Sequence, residues 1–442
     1  MDLGTIIQFY GGVGEKVFDA YVLVSRPLLD SFHAFFDSAF YVLLFIAIVL
    51  SAFYILMSAY AVFNRKKAEE RSFIAGKAPA VTVQIPTFNE LAALRCAKAC
   101  LDFDYPKEKL QIIIGDDSNQ KEISGRIDAF AAEHGLTVTR RGPNIGYKAG
   151  NLNHMLKNST GDILVIFDSD FVPEKDFLQR LVAPFIHDKG LSAVQARWSF
   201  LNRNQNFATV LGSTIVSVFH YICLPFLQRQ SKVSFLCGSA EAVRKKDVLA
   251  LGEWESGSLT EDIEYSLRLL KSGKRILYLD TLECAGEVPQ TAKDLYRQQM
   301  RWAYGVIAAF RKHGAGLLRS KNLSFKDKSY ILVFCSGYLL SFLLLLLFAT
   351  GTLSFLTDRP APIDVIRFLS EMGANILLTS GIIVASLVAL SLSKNLRKAL
   401  QMALASFSVG LMVTYYVNVG IIKVLFNQPM QWFMLSKEGN KI

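Results

Sequence analysis

The stretch Ile163-Leu164-Val165-Ile166-Phe167-Asp168-Ser169-Asp170 decides the reading of this chain: an unbroken apolar run that ends abruptly in two carboxylates one residue apart. A run this short and this apolar reads as a buried strand. Successive strand residues point to opposite faces, but where the strand frays into a turn, Asp168 and Asp170 can converge on one cation. Mg2+ and Mn2+ prefer such hard oxygen ligands and bridge them to the phosphates of a nucleotide. The alternative is an Asp-Ser-Asp that only caps a turn after a strand.

The 442 residues exceed the usual single-domain size, so a full domain plus something else is expected. Residues 39–63 carry no charge and are long enough to cross a bilayer as a helix, as are the uncharged stretches 329–357, 372–393 and 399–422. The reading is an integral, multi-pass membrane protein with a soluble block between its anchors: an interfacial segment over 1–38, a span over 39–63 and a linker over 64–79. An α/β domain follows over 80–312, and a C-terminal membrane region over 313–442. Residues 1–38 hold five acids against Lys16 and Arg26, whereas Arg65-Lys66-Lys67 follows the first span, so the positive-inside bias places the soluble block in the cytoplasm. A plasma (inner) membrane location is the expectation, and a cleaved signal peptide is not expected, because no basic n-region precedes the apolar run.

A net charge of +10 would indicate nucleic acid in a soluble protein, but the basic residues cluster beside the spans and among candidate phosphate contacts. No nucleic-acid partner is expected. The six cysteines form no C-x-x-C pair and read as buried thiols.

In the soluble block, Val81, Val83 and Ile85 alternate in a strand that Pro86 ends, and Asn89-Glu90 opens a helix to about Leu101. A second strand, Leu110 to Gly115, stops at Asp116-Asp117-Ser118; a third lies near Leu136 to Arg140, and the quoted stretch is the fourth. Strands alternating with helices predict a parallel sheet covered on both faces, which binds ligands outside the carboxyl ends of its strands. Further on, Asn144-Ile145-Gly146-Tyr147-Lys148-Ala149-Gly150-Asn151 places two glycines around a lysine at a helix start, where backbone N–H groups and one ammonium could hold a pyrophosphate. Thr260-Glu261-Asp262 leads an amphipathic helix; Thr260 suits its N-cap, and a carboxylate there suits either the helix dipole or the deprotonation of a substrate hydroxyl. Gln298-Gln299-Met300-Arg301-Trp302 pairs a bidentate phosphate clamp with a flat indole that suits a sugar ring, or an interfacial anchor.

In this order, Asp116-Asp117, Asp168-Ser169-Asp170, Thr260-Glu261-Asp262 and Gln298 to Trp302 resemble the motifs of the membrane-integrated family 2 glycosyltransferases, the group of cellulose, chitin, hyaluronan and mannan synthases and ceramide glucosyltransferases. Val83 to Glu90, Gly146 to Gly150 and Val194-Gln195-Ala196-Arg197-Trp198 look closest to its cellulose-synthase-like mannan or glucomannan branch. The resemblance covers roughly residues 80–312. It implies a GT-A fold, a nucleoside-diphosphate sugar donor carrying UDP or GDP, and Mg2+ or Mn2+. On that resemblance, Phe88, Glu90 and Asp116 hold the base, Lys148 the diphosphate, and Asp168 and Asp170 the ribose side and the metal. Asp262 is the general base, Arg301 stabilises the departing diphosphate, and Trp302 and Gln298 face the acceptor. The loop Phe235-Leu236-Cys237-Gly238-Ser239-Ala240 occupies the place of an acceptor-facing loop, so Gly238 and Ser239 are acceptor candidates, although Cys-Gly-Ser replaces the more usual Asn-Gly-Thr.

The implied reaction is inverting transfer to a growing β-linked polysaccharide, with export as a possible accompaniment; transfer of one sugar to a membrane lipid is the alternative. Residues 207–228 are apolar but interrupted and read as an interfacial helix. Three spans after a cytoplasmic domain leave the C-terminus outside. Against this, Trp432-Phe433-Met434-Leu435-Ser436-Lys437 resembles the gating motif F-x-V-T-x-K, which must be cytoplasmic, but lacks its threonine; the span count carries more weight.

Overall fold

The computed structural model describes residues 3–64, 71–231, 233–359, 364–437 and 439, which form two compact units, Met1–Ile55 with Leu339–Ile382 and Leu56–Tyr338 with Ile383–Ile442. Arg65-Lys66-Lys67 lies outside the described residues. The chain begins with α1 (Leu3–Phe63), followed by β1 (Val81–Thr87), α2 (Ala92–Leu101), β2 (Leu110–Asp116), α3 (Lys121–His134), β3 (Thr137–Thr139), α4 (Tyr147–Asn158) and β4 (Ile163–Ile166). Next come α5 (Phe177–His187), β5 (Leu191–Phe200), α6 (Phe207–Val218), α7 (Leu224–Gln230), β6 (Glu241–Arg244), α8 (Lys245–Ala250), α9 (Glu261–Lys271), β7 (Arg275–Gly286) and α10 (Ala292–Arg319). The remainder is helical: α11 (Phe325–Cys335), α12 (Leu339–Thr357), α13 (Val365–Leu378), α14 (Gly381–Leu392), α15 (Ala399–Phe407) and α16 (Val409–Leu425).

Seven strands make one sheet in the order β3-β2-β1-β4-β6-β5-β7. Strand β1 is buried along its whole length and pairs in parallel with β2 and β4, as expected of a central strand with helices on both faces. The sheet is mixed rather than wholly parallel, because β6 runs antiparallel to both β4 and β5. The register places Thr87 beside Asp116 and Gln84 beside Ile166, so the carboxyl ends of β1, β2 and β4 open along one edge. Gly161 makes this possible locally: it delivers the chain into β4 over the backbone of β1, where a Cβ would stand 2.4 Å from the Thr82 nitrogen.

Within the first unit, α1 and α12 pack through Leu44, Ala47 and Leu347. The Ser51 hydroxyl accepts from the Gly381 N–H at 2.8 Å. Helix α1 is continuous, so the boundary read at residue 38 is not a helix boundary; no glycine or proline interrupts residues 28–63. Among the described residues, Ser25–Phe63, Phe207–Gln230 and Leu339–Thr357 are each long and apolar enough to cross a membrane. Phe207–Gln230, which contains a π-helical turn at Phe219–Cys223, is 78% buried and packs on strands β5 and β7 as a core element of the second unit.

The segment 399–422 is not one straight helix. It consists of α15 and α16, the bent pair Leu396–Phe407 and Val409–Leu425 meeting at 55°. Its entry lies on the α/β domain, where the Arg203 guanidinium donates to the Ser393 carbonyl at 3.0 Å and Leu390 packs on Val210. Its exit lies there too: α15 packs on α6, α16 packs on α10, and Arg311 donates to the Val424 carbonyl at 2.6 Å. The segment thus starts and ends on the same domain, the arrangement of a re-entrant pair as well as of a broken span. The second interrupted stretch, 372–393, is likewise two helices, α13 and α14.

Gly161→Ala is expected to destabilise the second unit by about 3 kcal/mol, the upper end for forced overpacking, because backbone atoms must move. Gly125→Ala, in α3 with nothing within 4 Å of the added methyl, is expected to stabilise it by about 0.5–1 kcal/mol. Thermal unfolding of the two detergent-solubilised variants checks both signs.

Candidate active site

The strand ends, the start of α4, the loops before β6 and α9, the second turn of α10 and the C-terminal tail enclose one cleft. Phe88, Glu90, Lys148, Asp168, Asp170, Gly238, Asp262, Gln298, Arg301 and Trp302 all line it. Ser239 lies just behind the wall: its hydroxyl accepts from the Asp168 N–H at 2.9 Å, and its carbonyl accepts from the Trp198 indole at 2.9 Å.

Asp116 is not among the lining residues. Its carboxylate is buried, takes the Arg140 guanidinium at 2.8 Å and the Ser124 hydroxyl at 2.7 Å, and accepts from the Ser118 N–H at 3.0 Å. Burial alone would raise its pKa, but these donors together hold it below the usual carboxylate range. Asp116 thus shapes the β2 loop, and its contact to a base is an expectation that these protein partners neither make nor exclude. Its neighbour Asp117 does line the cleft, bound to Arg141 at 2.9 Å.

Lys148 is the hub of the floor. Its ammonium lies 2.7 Å from Asp168 and 3.1 Å from Glu261 and donates to the Gly238 carbonyl. The approach requires glycine at 238, whose φ is +87° and whose Cβ would stand 3.2 Å from both the Lys148 ammonium and the Asp262 carboxylate. Gly146, with φ +74°, starts α4 against the loop before α9, where a Cβ would overlap the Ser256 hydroxyl. Lys148 is thus committed to carboxylates, and its contact to a diphosphate is a matter of proposal.

Asp262, in the first turn of α9, lies close to Glu241 on β6. Burial first, and Glu261 second, lift the Asp262 carboxyl to about 7, against the opposing pull of Lys148 and Arg301. Burial and then Asp262 lift Glu241 to about 8, although Glu241 accepts the Gly238 N–H at 2.8 Å. Arg301 reaches in from α10, is half-buried, and donates to the Leu259 carbonyl at 3.1 Å. Thr260 does not cap α9 through its side chain as expected; its hydroxyl has no partner and fits against Gly305 on α10.

The tail closes the other side. The Lys437 ammonium sits 2.9 Å from Glu90, 2.8 Å from Asp170 and 2.9 Å from the Ser169 hydroxyl. Burial would raise Asp170, but Lys437 outweighs it and holds the carboxyl low; Glu90 stays raised by its burial despite the same lysine. Trp432 meets Phe88 edge-on at 5.9 Å and stacks with Tyr147 at 6.3 Å, and the Arg297 guanidinium lies over Phe433 at 5.0 Å. The likeness of Trp432 to Lys437 to the gating motif was the signal that pointed here. Tyr147 and Trp198 fell inside the Gly146–Gly150 and Val194–Trp198 stretches, whereas Glu241 carried no such signal, because nothing in its local sequence separates it from core residues.

Asp168 and Asp170 offer the hard oxygen ligands a divalent cation takes, each now paired with an ammonium, Lys148 or Lys437, whose place the cation would take. Glu90, Asp168, Asp170, Glu261 and Asp262 face the cleft against Lys148, Arg301 and Lys437, with Asp117 and Glu287 taken by arginines at its rim. Among the described residues, the one trio of ligating side chains close enough to share a metal, Glu255, Glu264 and His313, lies outside this cleft, and Arg268 and Lys312 already neutralise it. Two carboxylates leave most of a coordination shell to phosphate oxygens and water.

Residues 79–305 match the family model described as glycosyltransferase-like family 2. The chain is 31% identical over 265 residues to glucomannan 4-beta-mannosyltransferase 2 of Arabidopsis thaliana, covering 58% of this chain and 49% of that protein. It is 32% identical over 283 residues to glucomannan 4-beta-mannosyltransferase 7 of the same plant, covering 61% and 50%. The chain therefore spans about half the length of the curated relatives it matches. Among solved structures, a mannosyltransferase from Pyrobaculum calidifontis, in complex with GDP-Man and Mn2+, aligns with a TM-score of 0.58 at 17% identity, over 91% of this chain and 100% of that one. The likeness supports a GT-A fold.

Arg140→Ala is expected to lower stability by about 2 kcal/mol, less than the loss of a fully buried partner because Arg140 is 38% exposed, and to leave nucleotide affinity unchanged. Denaturant unfolding beside nucleotide titration checks this, and a loss of affinity at unchanged stability would return Asp116 to the binding site.

Proposed function

The chain belongs to the family 2 glycosyltransferases, and on that footing we propose that it transfers a hexose from a nucleoside-diphosphate sugar to a growing β-linked polysaccharide, with inversion. The observation that carries this reading is the placement of a half-buried carboxyl poised near neutrality, Asp262, in one cleft with the Arg301 guanidinium and the Asp168–Asp170 pair. Asp262 takes the proton of the acceptor hydroxyl as its oxygen attacks the anomeric carbon. The bond to the diphosphate breaks with its electron pair, and the departing charge meets Arg301. Displacement from one side inverts the centre, so an α-linked donor yields a β-linkage.

Asp168 and Asp170 would hold Mg2+ or Mn2+, which when bound neutralises diphosphate oxygens. Lys148 sets the charge of this floor and lies within reach of the diphosphate. Phe88, with Tyr147 and Trp432, supplies rings for the base, and Glu90 lines its pocket. Trp302 and Gln298 face the acceptor sugar, while Gly238 and Ser239 shape that wall. Because the two plant relatives are named as mannosyltransferases, GDP-mannose is the first donor to try, and UDP-glucose and UDP-GlcNAc follow. The apolar helices lie in a bilayer, an inner or plasma membrane, with the α/β domain on its cytoplasmic side.

A radiolabelled donor screen on the full chain with Mg2+ or Mn2+ is expected to yield a long, glycosidase-sensitive polymer; one sugar on an extractable lipid would instead establish the lipid acceptor. Asp262→Asn is expected to cut turnover by about a hundred- to ten-thousandfold with donor binding retained. Since Asp262 acts without its proton, kcat/KM should rise as pH increases through about 7 and fall below it. A profile flat through neutrality, or an undiminished Asp262→Asn variant, would reject the assignment of the base.

A further inference from the structure

The chain carries no Asp or Glu from residue 372 to residue 437, while Lys394, Arg397, Lys398, Lys423 and Lys437 fall within it. Two of these cations meet an open cleft between the start of α6 and α15. It is lined by Asn204, Phe207, Arg397, Lys398, Gln401 and Leu404 and adjoins a second hollow that shares Phe207 and Gln401 and reaches Gln290. Arg397 is exposed and has no hydrogen-bond or ion-pair partner among the described residues. The Lys398 ammonium donates to the Gln401 amide at 2.8 Å, which aims both groups at the same opening.

Two buried polar atoms at this place are unpaired. The Gln290 amide nitrogen and the Asn204 side-chain oxygen are out of solvent and lack a protein partner. Buried polar atoms are normally paired, and an orphan acceptor lining one hollow with an orphan donor lining the adjoining one fits a ligand that offers both functions. The rim supplies the rest of the chemistry: Leu400 is 74% exposed, Leu404 52% and Phe407 80%, a stripe beginning directly beside the two cations. Cations at one end, amides in the hollow and bare apolar side chains along the outside make an amphiphile's binding site in one piece.

We infer that this cleft binds an anionic phospholipid with a hydroxylated headgroup, of the phosphatidylglycerol type. Its phosphate lies between Arg397 and Lys398, its headgroup hydroxyls meet the Asn204 and Gln290 amides, and its acyl chains run along Leu400, Leu404 and Phe407. The inference rests on the reading that the apolar helices lie in a bilayer. It is independent of the transfer chemistry, because none of these side chains lines the active-site cleft.

The test uses the full chain reconstituted in nanodiscs of phosphatidylcholine mixed with phosphatidylglycerol, re-extracted in mild detergent, with retained lipid identified by native mass spectrometry. The wild-type chain is expected to retain phosphatidylglycerol, and Arg397→Gln/Lys398→Gln to lose about fivefold in retention for each basic residue removed, the factor that one cation at an anionic surface carries. Lys189→Gln/Lys321→Gln removes the same charge from exposed sites elsewhere and should retain the lipid as wild type does. Equal retention by both double variants, or an equal loss in both, overturns the site. Failure of the wild-type chain to enter nanodiscs overturns the membrane reading instead, so the two outcomes are distinguishable.

Discussion

The cleft depends on the neutralisation of carboxylates gathered where water is scarce. Lys148 answers Asp168 and Glu261 from one side, and Lys437 answers Glu90 and Asp170 from the other. Without those ammonium groups, the loops that carry the carboxylates would repel one another in a medium that screens poorly. Some of the acids are instead relieved by holding a proton, since burial pushes Glu241 and Asp262 upward. The same arithmetic that assembles the site thus leaves one carboxyl near neutrality, the property a general base requires.

The sheet explains how acids distant in sequence come to share a floor. Strand β4 is inserted beside β1, and β6 pairs antiparallel with β4, which brings Glu241 next to Ile166 and the loop before β6 over the end of β4. Gly238 then lets Lys148 touch the carbonyl of that loop, and the Ser239 hydroxyl fixes the backbone of Asp168. Helices α9 and α10 pack together with Gly305 against Thr260, so Asp262 and Arg301 arrive in the cleft together. Small residues at these contacts do what larger ones could not, because backbone atoms have to approach within van der Waals distance.

The C-terminal region adds a cover anchored on the same domain. Helix α16 lies along α10, the helix that supplies Arg301 and Trp302, so the tail leaves from a point beside the cleft. Its aromatic residues meet Phe88 and Tyr147, and its lysine meets Asp170. One stretch of chain thereby contacts both the apolar and the charged halves of the pocket.

The local sequence by itself determined the strands that end in polar residues, the apolar helices, and the order of Asp168-Ser169-Asp170, Thr260-Glu261-Asp262 and Gln298 to Trp302. Such features follow from side-chain periodicity and from residue types that few environments accept. Three matters were left to the tertiary structure. Asp116 turned inward because Arg140, 24 residues away, pairs with it. The helices at 396–425 bend at Ser408 and lay one face on α6 and α10 while leaving Leu400, Leu404, Phe407 and Leu411 exposed, a division that a hydropathy count cannot read. Lys437 reached Glu90, 347 residues away, because folding placed an excess of negative charge there, and only the folded chain reveals which charges are left over.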